Sequence, residues 1–127
     1  MNETEKKNLV QNYIRAYNDF DVEKMLVDLS DEVIFKNISN GETTLELKGI
    51  GAFGEQARQA ARMFSEREQK IEHFHFDGEA CEVSINYCGK FAADLPNGIK
   101  AGDEIKLDGK SIFYFTDSKI SEIQDIS

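Results

Sequence analysis

The chain has 127 residues, 40% of them hydrophobic and 31% charged, with a formal net charge of −9. This composition suits one folded domain that buries roughly two-thirds of its unfolded surface. The acidic balance, with no local stripe of Lys or Arg, argues against nucleic acid as a partner, and the lack of a long apolar run argues against a membrane span.

In chain order, Met1 to Lys7 contain no apolar stretch of the kind a signal peptide needs, so a cytoplasmic location is expected. Leu9, Val10, Tyr13, Ile14, Ala16 and Tyr17 then repeat at helical spacing and predict a first helix. Asn2 and Glu5 form a candidate capping box at its start, and Asn18 to Phe20 break it. Asp21 caps a short second helix with Val22, Met25, Leu26 and Leu29 on one side.

Val33 to Ile38 predicts a strand, Asn40-Gly41 a tight turn and Thr43 to Lys48 the returning strand. Gly49-Ile50-Gly51 opens a third helix, whose apolar side is Ile50, Phe53, Ala57, Ala60, Ala61 and Phe64. The period then changes. Lys70 to Phe76, Ala80 to Phe91, Glu104 to Thr116 and Lys119 to Ile126 predict a four-strand meander, with turns at Asp77-Gly78 and Asp117-Ser118 and a longer loop around Pro96-Asn97-Gly98 and Gly102. Cys81 and Cys88 fall in one strand on opposite faces. Seven strand residues span about 23 Å, against the roughly 4.4–6.8 Å between disulfide-bonded Cα atoms, so no bridge between them is expected.

Three helices on one face of a twisted, mostly antiparallel sheet of about six strands make an α+β domain over residues 1–127, with a concave space of the kind in which ligands bind. The element order resembles the nuclear-transport-factor-2-like superfamily, in particular its SnoaL-like and ketosteroid-isomerase-like members of cystatin-like α+β fold. Val10-Gln11-Asn12-Tyr13, the cap at Asp21, Leu29-Ser30-Asp31-Glu32-Val33, and Ile112-Phe113-Tyr114-Phe115 followed by Lys119-Ile120 carry the likeness. It implies a cone-shaped domain with a pocket for a small apolar or carbonyl-bearing ligand. If the protein is an enzyme, the resemblance implies an isomerase, cyclase or lyase acting on a small carbonyl compound, with no cofactor or metal. A non-catalytic dimerisation or protein-binding module of the same fold is the alternative.

Carried over by position, the helix tyrosine of the ketosteroid isomerases falls on Tyr13, their proton-shuttling aspartate on Asn37 and their assisting aspartate on Ser111. An amide such as Asn37 cannot act as a general base, so the site is expected to be non-standard. The Asp-Arg-Asp network of limonene-epoxide-hydrolase-like proteins is not expected, because Arg15, Arg58 and Arg62 lie in predicted helices and Arg67 at a helix end. The separated histidines of scytalone-dehydratase-like proteins have no counterpart in His73 and His75, which share one strand.

Read from the residues alone, Tyr13 is either a pocket donor or one more aromatic of the helix stripe, and Tyr17 is more simply packing. Asn37 faces a ligand or ties down nearby backbone. His73 and His75 face solvent or a partner if Phe74 and Phe76 face the core, although Ile71 shares the histidine parity. Asp94, Asp103 and Glu104 read as solvated rim charges. The predicted pocket lining is Tyr13, Tyr17, Phe35, Asn37, Phe53, Val83, Ile85, Ser111 and Phe113, with Tyr13, Asn37, His73 and His75 as candidate catalytic residues. A homodimer through the outer sheet face, using Ile112 and Tyr114, is expected.

Overall fold

The computed structural model describes all 127 residues. Helix α1 (Glu3–Asn18) is closed at its start by the reciprocal pair that the sequence suggests. Glu5 N–H donates to Asn2 Oδ1 at 2.8 Å and Asn2 N–H to Glu5 Oε1 at 3.2 Å. Phe20, at φ 58°, turns the chain into α2 (Val22–Val27), where Lys24 N–H donates to the Asp21 carboxylate at 3.1 Å. Strands β1 (Leu29–Ser39) and β2 (Glu42–Lys48) meet at Asn40-Gly41, both with positive φ, as the hairpin signal requires. Helix α3 (Ile50–Arg62) follows, and β3 (Phe64–Asp77), β4 (Ala80–Phe91), β5 (Glu104–Thr116) and β6 (Lys119–Ile126) complete the chain.

The six strands form one sheet in the order β2-β1-β6-β5-β4-β3. All neighbours are antiparallel except β1 and β6, which run parallel. The sheet curves into an open cone around α1 and α3. The core cluster joins Val10 and Ile14 of α1, Val33 of β1, Phe53 of α3, Val83 of β4, Phe113 of β5 and Ile120 and Ile123 of β6. Gly109 in the middle of β5 allows a close backbone approach to the end of β6: a Cβ there would lie 2.9 Å from the carbonyl oxygen of Ile126.

Two sequence expectations change here. Strand β3 begins at Phe64, not Lys70, so Arg67 lies inside a strand and is buried, 6% exposed, rather than standing at a helix end. Phe64 fits the apolar stripe of α3, but its ring stacks on Phe91 of β4 at 4.9 Å between centroids. The parity conflict in β3 is resolved by a register shift between Ile71 and His73. The extra residue lets Ile71, Phe74 and Phe76 all pack against the core, while His73 and His75 are exposed. Cys81 and Cys88 are both free thiols, as expected.

Candidate functional site

Register places three polar side chains in one row across the sheet. Asn37 of β1 pairs with Asp125 of β6, and Asp125 pairs with Ser111 of β5. Paired residues in adjacent strands project to the same face, and here that face is the concave one. All three line a cavity of about 230 Å³ whose wall also includes Tyr17 of α1, Gln69 of β3, and Ile85 and Tyr87 of β4.

Asp125 is the chemical centre of this row. Ser111 Oγ donates to Asp125 Oδ1 at 2.7 Å. Protein packs round the carboxyl on most sides while one edge meets the cavity, and its pKa is raised to about 6. Desolvation drives the rise, and the Ser111 hydrogen bond opposes it. No cation pairs with Asp125, since the ion pairs of the molecule lie elsewhere. A carboxyl in this state exchanges protons near neutral pH, as a general base or acid must.

Opposite the row stands a hydroxyl pair. Tyr17 and Tyr87 lie 2.8 Å apart, oxygen to oxygen, and their rings meet edge to face at 6.2 Å. Two O–H groups sharing one hydrogen bond leave one hydrogen free for a ligand. Burial raises the pKa of both phenols, so both stay protonated donors at neutral pH. Asn37 donates from Nδ2 to Thr44 Oγ1 at 2.8 Å, and its Oδ1 forms no hydrogen bond within the chain.

Of the predicted lining residues, the structure brings Tyr17, Asn37, Ile85 and Ser111 to the cavity. Tyr13, Phe53, Val83 and Phe113 are buried behind it, and Phe35 packs on Phe53 at 5.5 Å. These aromatic side chains fill the deeper part of the cone, which therefore holds no single large chamber. Tyr13 packs edge-on against Phe113 at 5.8 Å. Its pKa is raised, first by burial and then by the nearby Asp125, so its ring backs the site without lining it. Neither candidate histidine lines the cavity, and no three His, Cys, Asp or Glu side chains converge as metal ligands.

Sequence reasoning missed Asp125, Tyr87 and Gln69. A faint signal existed for Asp125: it follows the buried Ile123 by two residues, so it shares the inward face of its strand. A larger cleft of about 610 Å³ lies toward the other end of β3, β4 and β5, lined mainly by solvated charges such as Glu66, Glu68, Lys90 and Lys106. Lys90 and Glu66 are paired there at 3.2 Å, and none of the groups whose ionisation burial displaces lines that cleft. Tyr17, Tyr87 and Asp125, whose ionisation burial displaces, line the smaller cavity instead.

No curated protein matches the chain significantly. Solved structures do. A candidate polyketide cyclase from Xanthomonas campestris pv. campestris superimposes with a TM-score of 0.86 at 20% identity, covering 100% of this chain and 93% of that one. A candidate SnoaL-like polyketide cyclase from Jannaschia sp. CCS1 gives 0.82 at 13% identity, covering 97% and 85%. An LEH-like epoxide hydrolase from M. tuberculosis gives 0.76 at 18% identity, covering 97% and 82%. These likenesses concern the fold. The match to the SnoaL-like domain family runs over residues 10–123, nearly the whole chain and every residue of the cavity row except Asp125, and it makes this protein a member of that family.

Proposed function

We propose that the protein binds a small carbonyl-bearing organic molecule in the 230 Å³ cavity and moves a proton on it, with Asp125 as general base and then acid. The observation that carries this reading is an unpaired carboxyl, held near pH 6, facing a hydroxyl pair across a ligand-sized space. At pH 7 such a carboxyl is mostly ionised yet still basic enough to accept a proton. In the proposed reaction, Asp125 takes a proton from the carbon next to a carbonyl. The electron pair of that C–H bond moves to the carbonyl oxygen, where the free phenol hydrogen of the Tyr17–Tyr87 pair holds it. Asp125 then returns the proton to a different carbon, which gives an isomerisation. In a ligand with a second carbonyl, the enolate carbon instead bonds to that carbonyl carbon, its C=O π pair moves to oxygen, and Asp125 protonates the resulting alkoxide, which closes a ring.

The role that resemblance assigned to Asn37 passes to its neighbour in the row, since only Asp125 can carry a proton there. A polyketide cyclase and an epoxide hydrolase are named among proteins of this shape, which agrees with a cavity for a small oxygenated molecule. The cavity volume lies below the usual range of about 300–1,000 Å³ for drug-sized ligands, so the substrate is compact, of one ring or two. The same reading includes a homodimer through the outer sheet face, where Ile112 and Tyr114 are only half-buried; sedimentation at micromolar concentration tests it.

Deuterium exchange at the α-carbon of a panel of small cyclic ketones, followed by NMR in D2O, tests the proton transfer. Acceleration by the wild type that disappears in Asp125→Asn is expected. Acceleration by neither protein, or by both equally, would refute the role given to Asp125.

A further inference from the structure

One buried cation takes no part in the reading above. Arg67 is 6% exposed and forms none of the ion pairs of the molecule. Its Nε donates to the Tyr17 carbonyl oxygen at 3.0 Å, while its buried Nη2 has no hydrogen-bond partner in the chain. The guanidinium lies 3.7 Å from the centroid of the Tyr17 ring and 4.6 Å from that of Phe20. An arginine keeps its charge in any such setting, and a buried charge without a counter-ion is expensive. Stacking on two rings recovers part of that cost. Phe20 holds its left-handed backbone in the same place, so the turn after α1 supplies one of the two faces.

The consequence falls on the cavity. Arg67 lies over the face of the Tyr17 ring, and the hydroxyl of the same ring meets Tyr87. A cation in that position withdraws charge from the phenol and strengthens its O–H as a donor. The field of Arg67 acts in the same direction, favouring the negative form, at Tyr13, Tyr17 and Tyr87. Resting on the reading that the hydroxyl pair holds a ligand oxygen, we propose that Arg67 is a positioning residue. It makes the Tyr17–Tyr87 pair select a ligand whose oxygen is already anionic, an enolate or phenolate, over the neutral form of the same molecule. Arg67 itself borders the larger cleft and not the cavity, so it acts on the ligand oxygen through the Tyr17 phenol.

The polar groups of the cavity wall come from six elements: Tyr17 from α1, Asn37 from β1, Gln69 from β3, Tyr87 from β4, Ser111 from β5 and Asp125 from β6, with Tyr13 and Arg67 behind them. Lys110 borders the cavity but pairs with Glu82 at 3.1 Å. Asp125 is the one acidic side chain of the cavity wall, so its replacement separates the two ideas. Asp125→Asn abolishes proton transfer on the reading above, yet strengthens phenolate binding on this one.

The test uses 4-nitrophenol, whose phenolate absorbs at a longer wavelength than the phenol, at the pH where the free probe is half ionised. Bound to the wild type, the probe is expected to be mainly phenolate. Arg67→Met lowers the bound phenolate-to-phenol ratio by about tenfold, the change that one pKa unit represents. Arg67→Lys, which keeps the charge but loses the planar stack, falls between. Asp125→Asn raises the ratio. A wild-type probe that binds half ionised, or no binding of either form up to the solubility limit, overturns the proposal without needing any variant to fold. An unchanged ratio in folded Arg67→Met overturns it as well. None of these results bears on α-carbon exchange by Asp125, which stands or falls separately.

Discussion

Replacing Asp125 by Asn should change not only chemistry but the way stability follows pH. The side chain keeps its size and can still accept from Ser111 Oγ, but it no longer titrates. In the folded wild type the carboxyl has a pKa of about 6, raised from an ordinary value of 3.8. The folded state therefore holds this proton more tightly than the unfolded state. By linkage, that stability is fully present below pH 3.8 and is lost as pH rises through 6. A difference of about two units corresponds to roughly 3 kcal/mol at pH 7, an upper bound, because water at the cavity mouth screens the carboxylate. Urea unfolding of both proteins at pH 4.5 and 7.5 isolates the effect, since the other acidic residues are common to both. Relative to wild type, Asp125→Asn should gain about 1–3 kcal/mol on going from the lower to the higher pH. A difference that stays flat would mean that Asp125 is as well solvated as a surface carboxylate, and the reasoning about the site would fail.

Ser111→Ala removes the hydrogen bond that lowers the Asp125 pKa, so that pKa should rise further, by about one unit, visible as an upward shift of the midpoint in the same pH series. Gly109→Ala sets a Cβ 2.9 Å from a backbone oxygen that cannot turn aside. It should destabilise by about 1–3 kcal/mol in urea and narrow the cavity entrance. The double replacement of His73 and His75 by Ala removes two exposed side chains outside the cavity, so stability should change by less than about 0.5 kcal/mol and ketone exchange not at all.

The elements of this fold are legible wherever local signals suffice. Asn2 with Glu5, Asp21, Asn40-Gly41 and Asp117-Ser118 each mark a boundary that the backbone respects, because caps and left-handed turns depend on a few adjacent residues. The site is legible only in part. Tyr17 and Tyr13 stand one turn apart on the same helix stripe, and sequence cannot say which of them reaches the cavity and which is sealed behind Phe53 and Phe113. Asn37 and Ser111 can be placed on inward faces by alternation, but the residue between them comes from β6. The parallel pairing of β6 with β1 joins segments far apart in the chain, with no local signature. Arg67 is hidden for another reason: Phe64 continues the helical spacing of α3, so the sequence pattern puts the change of period later than the backbone does. His73 and His75 depend on one inserted residue in β3, which flips every side chain beyond it.

The account rests on a carboxyl that exchanges its proton near neutrality inside the cone. An NMR titration following the side-chain carboxyl carbon of Asp125 measures this without a substrate. A midpoint near pH 6 that moves upward in Ser111→Ala is the predicted result. A midpoint near 3.8 would show an ordinary, well-hydrated aspartate and would contradict the assignment of the acid/base role to this residue.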